Sequence, residues 1–416
     1  MTATAAKEIS TIFDRAVRRA ESPLRVWMYD PWCRTPWYTA ALTRALSTAG
    51  HDVRLVCPSY SLEPHYFRDE GLILRPGLLD WTGRYSFVPT KLRQPGRLAE
   101  YLINTAQLSL AAALSPPQIL HQQQCVLLEH GWRPELTFLR WCRERGVKVV
   151  HTVHNLLPHQ EKPFHPSIYG ELYELADALI CHDEQAASAL SRRFRVSRDR
   201  IHIAPHGPLF ADVPSLSSAR CRELLGLEPD RQIFLALGVL AHYKGLDLLL
   251  DAWADLVLSH QNTPKPLLVI AGNGPATEMR ELQRRAASLG LGHDNLRLDL
   301  RYIRAAELPL YQNAADVLLY PYRDVTTSGA LLTGLNYGKP IIASDLPAFR
   351  EYLLPNTNAL VVPPRNRGEL AKALATMLQP ASFGRLKAGS LNNRDLLVQW
   401  DEIGGRVADV YRAALA

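Results

Sequence analysis

The chain has 416 residues and a formal net charge of +6, and a chain of this length is expected to form two domains rather than one core. A hydrophobic content of 47% with 21% charged residues excludes an intrinsically disordered or fibrous protein. No run of five like charges occurs, so no nucleic-acid partner is expected. The basic excess suits an anionic substrate or membrane surface, and it equally suits an ordinary solvated surface.

The six cysteines are scattered and none forms a C-x-x-C pair, which predicts reduced thiols in a cytoplasmic protein. No apolar run reaches the length of a membrane span, and the N-terminus lacks an apolar signal core. Residues 5–20 have amphipathic spacing and are expected to pack on the first domain or to fray, with a position on the inner membrane face as the alternative. The predicted location is therefore cytoplasmic, with peripheral membrane contact left open.

Strand-like and helix-like segments alternate along most of the chain, which predicts two doubly wound α/β domains with parallel sheets. The strands predicted in the first half are Leu24–Tyr29, Val53–Cys57, Gln118–His121, Val147–Val153, Ala178–Cys181 and Ile201–Ala204. The helices predicted there are Pro36–Ala49, Arg97–Leu114 and Pro134–Arg145. A Pro- and Ser-rich segment that starts at Pro205 marks the end of the first domain, which is predicted to span residues 1–208.

The alternation restarts in a second predicted domain, residues 209–394. Its predicted strands are Ile233–Leu237, Leu267–Ala271, Asn295–Leu298, Val317–Tyr320 and Pro340–Ser344. Its predicted helices are Leu246–Val257, Ala276–Leu289, Leu308–Ala314, a helix that starts near Ser328 and stops at Gly338, and Gly368–Leu378. A terminal helix is predicted over Asp395–Ala414, within the last segment, residues 395–416.

The loop between the first strand and its helix reads DPWCRTPWY and carries Trp32 and Trp37. It should open at the carboxyl end of the sheet, where ligands bind in folds of this class. The two indoles are expected to form a stacking surface for an acceptor. The alternative is a loop that its prolines hold rigid and that binds no ligand.

Three loops of the second domain should open at the carboxyl edge of one sheet. The first, GVLAHYKG, carries Gly238 and Lys244; the second, AGNGP, carries Gly272 and Gly274. The third is a helix start at which Thr326, Thr327 or Ser328 caps the helix and Gly329 and Ala330 supply free amides. A lysine, a tight glycine turn and a helix N-terminus on one edge predict a diphosphate site. Taken singly, each loop also fits an ordinary turn or cap.

The second half resembles the nucleotide-binding domain of GT-B retaining glycosyltransferases of family 4. Four segments carry the resemblance: GVLAHYKGLDLLLDA, IAGNGP, AADVLLYP and GKPIIAS. The terminal LVQWDEIGGRVADVYRAAL resembles the family helix that crosses back onto the first domain, and AGHDVRLV and VKVVHTVHN match the family in the first half.

The resemblance implies two Rossmann-like domains that face a cleft, and transfer of a hexosyl-type sugar with retention. The donor would be a nucleoside diphosphate sugar, used as a co-substrate without any cofactor. The acceptor would be a glycan, a lipid-linked glycan or a small molecule, in polysaccharide or glycoconjugate biosynthesis. The sequence has no strand-end D-x-D pair and no cluster with metal-ligand spacing, so a metal-independent reaction is expected.

Two departures from the family pattern concern the donor. Val239 stands where the family has an arginine, which leaves Lys244 as the main cation expected on the phosphates. Val325 and Thr333 stand where the family has two glutamates. Asp324 is the nearest substitute for the first glutamate, and Thr333 is expected to hydrogen-bond a ribose hydroxyl instead of the second.

The segment HTVHN, at a predicted strand end of the first domain, places His154 at the family's active-site histidine. A neutral imidazole there would hydrogen-bond sugar hydroxyls or relay an acceptor proton, unless the histidine is only structural. Asn155 and His159 are further candidates on the acceptor side. Two other functions stay open: a non-catalytic homologue that binds a sugar nucleotide or a partner enzyme, as the missing glutamates suggest, and a sugar-nucleotide epimerase.

Overall fold

The computed structural model describes residues 22–32, 34–57, 72, 78–79, 81–84, 90–158, 160–210, 216–259, 265–325 and 327–416. The predicted amphipathic segment at residues 5–20, the acceptor-side candidate His159 and the cap candidate Thr326 lie outside the described residues. Two compact units make up the chain. One consists of Met1–Gly207 with Gln399–Ala416, and the other of Pro208–Val398.

The first unit is built on a six-stranded sheet in which every neighbouring pair is parallel. Its strands are β1 Arg25–Tyr29, β2 Asp52–Val56, β3 Ile119–Gln122, β4 Lys148–Thr152, β5 Ala178–Cys181 and β6 Ile201–Ile203. They lie in the order β2-β1-β3-β4-β5-β6. Most strand residues are buried, because helices cover both faces of such a sheet.

The helices of the first unit pack on this sheet. They are α1 Pro36–Thr48, α2 Trp81–Arg84, α3 Thr90–Leu114, α4 Pro134–Arg143, α5 His165–Leu175 and α6 Glu184–Phe194. Two 3₁₀ turns, Leu127–His130 and Arg198–Arg200, join them to the strands. Leu128, Leu139 and Leu172 lie in one continuous core with the strand side chains.

The second unit repeats the design with six parallel strands. They are β7 Ile233–Leu237, β8 Leu267–Gly272, β9 Leu296–Leu300, β10 Val317–Tyr320, β11 Ile341–Ser344 and β12 Ala359–Val362. Their order is β12-β11-β10-β7-β8-β9. The two units therefore have the doubly wound, Rossmann-like architecture that the sequence predicts.

Short and medium helices cover the second sheet. They are α7 Ser218–Leu225, α8 Leu246–Ser259, α9 Ala276–Ser288, α10 Leu308–Ala314, α11 Gly329–Leu335, α12 Pro347–Arg350, α13 Arg367–Met377 and α14 Pro380–Ser390. Two 3₁₀ turns, His242–Lys244 and Asn393–Leu396, complete the unit. Trp253 of α8 is fully buried and its indole N–H donates to the Asn295 carbonyl at 2.9 Å.

The last helix, α15 Trp400–Leu415, belongs to the first unit. It packs on α1, where Gly404 is so close to Ala45 that a Cβ on this glycine would collide with the alanine side chain. Tyr411 of α15 is fully buried, and its hydroxyl lies 2.6 Å from His121 Nδ1. The chain thus returns to its first sheet after completing the second, as the resemblance implied for this helix.

No helix in the described part of the chain is both long and apolar enough to cross a bilayer. The five described cysteines are buried.

Candidate active site

The loops expected to bind a diphosphate lie at the switch point of the second sheet. Strand β7 is the neighbour of β10, and the chain continues from β7 toward β8 on one side and from β10 toward β11 on the other. The loops that follow β7 and β10 therefore diverge, and a crevice at the carboxyl ends of the strands results. A small pocket at this place is lined by Gly238, Leu240, Lys244 and Tyr322, among others.

Lys244 is the cation of this pocket. It ends the 3₁₀ turn after β7, is 7% exposed, and donates from Nζ to the Tyr322 hydroxyl at 2.5 Å. The ammonium also lies 4.2 Å from the centroid of the Tyr322 ring. No carboxylate of the described residues pairs with it, and burial lowers its pKa below the usual lysine value. A buried ammonium without a counter-ion is stabilised more by an anionic partner than an exposed ammonium is.

Tyr322 connects the two loops, and sequence reasoning missed it. It follows β10, is 2% exposed, and burial raises its pKa. Its hydroxyl accepts from Lys244 and also approaches the Ser328 side chain. The lysine of one loop and the cap residue of the next helix thus share one phenol oxygen. The only sequence signal for Tyr322 was its place two residues beyond a buried strand.

The start of α11 has the predicted cap. Ser328 is buried and its Oγ accepts the Leu331 backbone N–H at 3.2 Å. Thr327, Gly329 and Ala330 are half-buried beside it. This arrangement leaves the first amides of the helix without helical acceptors.

The two positions that replace the family glutamates differ in exposure. Thr333 is 6% exposed, and its hydroxyl donates to the Gly329 carbonyl at 2.7 Å. The hydroxyl proton is therefore used within the helix, but the oxygen can still accept a hydrogen bond from a ribose hydroxyl. Asp324 is exposed and Val325 half-buried on the preceding loop. Val239, where the family has an arginine, is 57% exposed.

The glycine turn after β8 packs directly on the loop after β7. Gly272 has φ +146°, and a Cβ at this position would collide with the Gly238 carbonyl oxygen. The Gly238 N–H donates to the Ala271 carbonyl at 3.0 Å, and the Leu240 N–H donates to the Asn273 carbonyl at 2.7 Å. The structure thus brings Gly238, Gly272 and Gly274 to the same edge of the sheet as Lys244.

An ion pair that the sequence did not predict joins the same loops. Arg323 Nη2 lies 2.6 Å from Asp247 Oδ2, and Arg323 Nη1 donates to the His242 carbonyl at 2.6 Å. The Arg323 backbone N–H donates to the Tyr243 carbonyl at 2.7 Å. Together these bonds hold the loop after β10 against the turn that carries Lys244.

His154 lies in the first unit, two residues beyond β4, with both ring nitrogens hydrogen-bonded. Nε2 lies 3.1 Å from Gln123 Oε1, and Nδ1 lies 3.3 Å from His182 Nε2. The edge of the Tyr38 ring packs on it with centroids 4.9 Å apart. Burial and, secondarily, the neighbouring His182 lower its pKa well below the ordinary histidine value, so His154 is neutral at neutral pH.

Two more imidazoles surround the Tyr38 ring; we call His154, His182 and His206 the histidine cluster. The His182 and His206 ring centroids lie 5.3 and 5.1 Å from that of Tyr38. His182 Nδ1 lies 3.1 Å from the Ala204 carbonyl, and His206 Nδ1 lies 2.6 Å from the Gly207 carbonyl. Burial lowers the pKa of His206 to about 3 and also lowers that of His182. Sequence reasoning did not connect these strand-end histidines.

The tryptophans expected on the acceptor side differ in their surroundings. Trp32 is half-buried, its indole N–H donates to Glu135 Oε1 at 2.6 Å, and its ring stacks on Tyr101 with centroids 6.0 Å apart. Trp37 and Asn155 are half-buried. Burial raises the pKa of Glu135 to about 7. The Trp32 ring is therefore held in place by the protein itself.

Two family models match the chain. The model described as "Glycosyltransferase Family 4" matches residues 36–207 in the first unit, and "Glycosyl transferases group 1" matches residues 231–380 in the second. The chain belongs to the family 4 glycosyltransferases. The GT-B fold and the transferase class inferred from the sequence are confirmed.

Full-length relatives agree with this family. The D-inositol 3-phosphate glycosyltransferase of Xylanimonas cellulosilytica is 26% identical over an alignment that covers 91% of each chain. The enzyme of the same name from Jonesia denitrificans is 24% identical over 90% of this chain and 89% of its own.

Solved structures share the fold of this glycosyltransferase. Anabaena HepE, in complex with UDP and glucose, aligns with a TM-score of 0.72 at 13% identity over 93% of this chain and 98% of its own. Sucrose-phosphate synthase of Thermosynechococcus elongatus aligns with a TM-score of 0.68 at 20% identity over 95% of this chain and 96% of its own.

In the described part of the chain, no group of three or more His, Cys, Asp or Glu side chains is arranged to hold a metal ion.

Proposed function

We propose that this glycosyltransferase moves a hexosyl-type sugar from a nucleoside diphosphate sugar to an acceptor hydroxyl, with retention at the anomeric carbon. The observation that carries the proposal is the buried Lys244, which has no carboxylate partner among the described residues and lies at the switch point of the second sheet. UDP-sugars are the first donors to test, because the HepE structures, which share this fold, hold UDP, UDP with glucose, and UDP-glucose.

The donor diphosphate is assigned to the pocket between the loops after β7 and β10. Lys244 and the amides of Ser328, Gly329 and Ala330 would bind its oxygens. Gly272 and Gly274 carry no Cβ, which lets the turn after β8 pack on the loop after β7 beside this pocket.

The donor sugar and ribose are assigned to the loop before α11 and to its first turns. Thr333 Oγ1 would accept a hydrogen bond from a ribose hydroxyl, because its own proton already goes to Gly329. Asp324 and Thr327 would contact the sugar, since neither family glutamate is present. This replacement predicts a donor sugar contact unlike that of relatives with both glutamates.

The reaction would need no metal ion, since Lys244 and the helix amides would stabilise the charge that develops on the leaving diphosphate. For retention, the acceptor oxygen would attack from the face that the diphosphate leaves, and the departing phosphate oxygen would take the acceptor proton. His154 would hydrogen-bond a hydroxyl beside the reacting carbon. The anomeric carbon would form one bond, to the acceptor oxygen, and lose one bond, to the phosphate oxygen. The reaction would therefore need no protein nucleophile.

The acceptor is assigned to the first unit. Trp32, fixed by Glu135 and Tyr101, offers an aromatic side chain, with Trp37 and Asn155 as further contacts. Amphipathic rings of this kind suit a sugar or a lipid-linked glycan. We place the reaction in the cytoplasm, in polysaccharide or glycoconjugate biosynthesis, with peripheral contact to the inner membrane face when the acceptor is lipid-linked.

The proposal is tested by incubating the full chain with a panel of nucleoside diphosphate sugars, with and without cell-extract acceptors and without added metal. Release of free nucleoside diphosphate that rises with the extract is expected. A sugar nucleotide converted to another sugar nucleotide would instead indicate an epimerase. Donor binding without turnover under every condition would contradict the proposed transfer.

A further inference from the structure

A continuous hydrogen-bonded chain runs through the first unit from Gln123 to the Ala204 carbonyl. Gln123 follows β3, His154 follows β4 and His182 follows β5, so three neighbouring strand ends supply it. The distances along it are 3.1 Å from Gln123 to His154, 3.3 Å from His154 to His182 and 3.1 Å from His182 to Ala204. Gln123 is fully buried and His182 is 8% exposed.

The proton positions of this chain follow from its last member. A backbone carbonyl oxygen can only accept, so His182 Nδ1 must carry a proton. A neutral His182 then has its lone pair at Nε2, which faces His154 Nδ1. Two lone pairs that face each other at 3.3 Å would repel. His154 Nδ1 therefore carries a proton and donates a hydrogen bond to His182 Nε2. The neutral His154 is left with its lone pair at Nε2.

The alternative arrangement needs a charged His182 that donates to both neighbours. Its surroundings oppose that charge, because the site is buried and mostly uncharged imidazoles and a phenol ring face it. The titratable groups around the pair are His121, His151, His206, Tyr38 and Asp183. Asp183 is the one acid in this set, and its carboxylate already accepts the Ala186 N–H at the start of α6.

Gln123 must accordingly present its amide nitrogen to His154 Nε2. At present Gln123 Nε2 faces the Met28 sulfur at 3.1 Å. A 180° rotation of the carboxamide exchanges its nitrogen and oxygen, so that Gln123 Nε2 faces His154. The exchange loses little because a thioether sulfur is only a weak acceptor. Gln123 then donates to His154 Nε2, which accepts the hydrogen bond.

We propose that His182 is a positioning residue that fixes the proton of His154 on Nδ1, so that His154 presents Nε2 to substrates as a hydrogen-bond acceptor. The proton arrangement rests on geometry alone, and its use in catalysis rests on the proposed function above. A hydroxyl of the donor sugar or acceptor is thus the group that His154 recognises, and an acceptor-only group such as an ether oxygen or a carbonyl is excluded.

The proton position is measured by nitrogen-15 spectra of the full chain labelled at histidine, recorded at neutral pH without donor. The His154 signals are assigned by their loss in His154→Asn. Wild type is expected to show a protonated Nδ1 and a lone-pair Nε2 at His154. A proton on Nε2 in wild type would overturn the inference, and this result needs no variant of His182.

The role of His182 is measured with His182→Phe, which keeps a ring and removes both nitrogens. His154 is expected to lose its single proton position. We expect kcat to fall about tenfold to a hundredfold with little change in donor KM, the loss seen when the outer hydrogen-bond partner of a metal-bound imidazole is removed. The matched control His206→Phe removes an imidazole that packs on Tyr38 but does not bond His154, and it should keep the wild-type His154 signature. An unchanged His154 signature in His182→Phe would overturn the inference. Because the spectra need no turnover, failure of the donor panel would overturn the proposed function alone.

Discussion

The Lys244 ammonium lies 2.5 Å from the phenol oxygen of Tyr322, and no carboxylate of the described residues neutralises it. The hydroxyl of a tyrosine can orient a buried lysine without cancelling its charge. A carboxylate in the same place would pair with the ammonium and compete with a phosphate. The pair therefore keeps the cation positioned and available for an anionic ligand, such as the diphosphate of the proposed donor.

Removal of the Tyr322 hydroxyl is expected to leave a buried ammonium without its partner. Tyr322→Phe keeps the ring contact at 4.2 Å but should lower the free energy of unfolding by about 1–3 kcal/mol, the cost of an unsatisfied buried donor. The matched control is Tyr337→Phe, because the Tyr337 hydroxyl is buried and has no hydrogen-bond partner among the described residues. Urea unfolding of both variants measures the difference. Equal stability of the two variants would show that the Tyr322 bond is unimportant.

The ribose contact assigned to Thr333 is tested with nucleotides that lack a hydroxyl. Thr333→Val should weaken binding of UDP by about 1 kcal/mol, the worth of one hydrogen bond. It should not weaken binding of the 2′- or 3′-deoxy analogue that lacks the contacting hydroxyl. Calorimetric titration gives both values, and an equal loss for UDP and for both deoxy analogues would remove Thr333 from the ribose site.

The buried carboxyl of Glu135 predicts a specific pH dependence of stability. Its pKa is raised to about 7 by burial, so the folded state holds this proton more tightly than the unfolded state. Its contribution to stability is therefore full at low pH and is lost as the pH rises from about 4.5 to 7, a loss of about 3 kcal/mol. Glu135→Gln should remove this component, so its stability relative to wild type should rise across that window. If the difference in the free energy of unfolding between Glu135→Gln and wild type stayed constant from about pH 5 to 8, the raised pKa of Glu135 would be contradicted.

The buried histidines of the first unit predict the opposite trend. Burial lowers the pKa of His121 and His206 to about 3 and that of His151 to about 4. The unfolded chain binds these protons near pH 6.5 and the folded chain does not, so stability is full above pH 6.5 and is lost as the pH falls toward 4. Urea unfolding in Glu135→Gln should show a decline steeper than about 1.4 kcal/mol per pH unit, the limit for one group. A shallower decline would mean that these imidazoles are protonated in the folded state.

Much of the fold could be predicted from strand and helix patterns. The predicted bounds of Ile233–Leu237, Leu308–Ala314 and Val317–Tyr320 agree with the structure, because compact apolar runs with clear ends define them. Sequence analysis left out the helices α2, α5, α6, α7, α12 and α14 and the short strand β12. The helix α3 begins at Thr90, seven residues before its predicted start, and contains Pro95. A proline commonly ends a helical pattern, but Pro95 is the sixth residue of α3, and the helix continues through it with the loss of one backbone hydrogen bond.

The candidate site could be predicted only in part. Lys244, the glycine turns and the Ser328 cap are local patterns, and each has a direct physical reason at its own position. Tyr322 contacts Lys244, Arg323 contacts Asp247, and His182 contacts His154. These partners are separated in the chain by 78, 76 and 28 positions, respectively. Such pairs are set by how strand ends meet at a sheet edge, which one sequence does not give. The family resemblance likewise identified His154 but not the partners of its two nitrogens.

The most direct test of the account is the effect of Lys244→Ala on turnover of the donor identified by the panel. If Lys244 stabilises the leaving diphosphate, kcat/KM should fall by about two to three orders of magnitude, a few kcal/mol of transition-state stabilisation. The control Lys372→Ala, which removes a surface lysine paired with Glu369, should keep wild-type kinetics. Unchanged kcat/KM in a folded Lys244→Ala protein would contradict the assignment of the donor site.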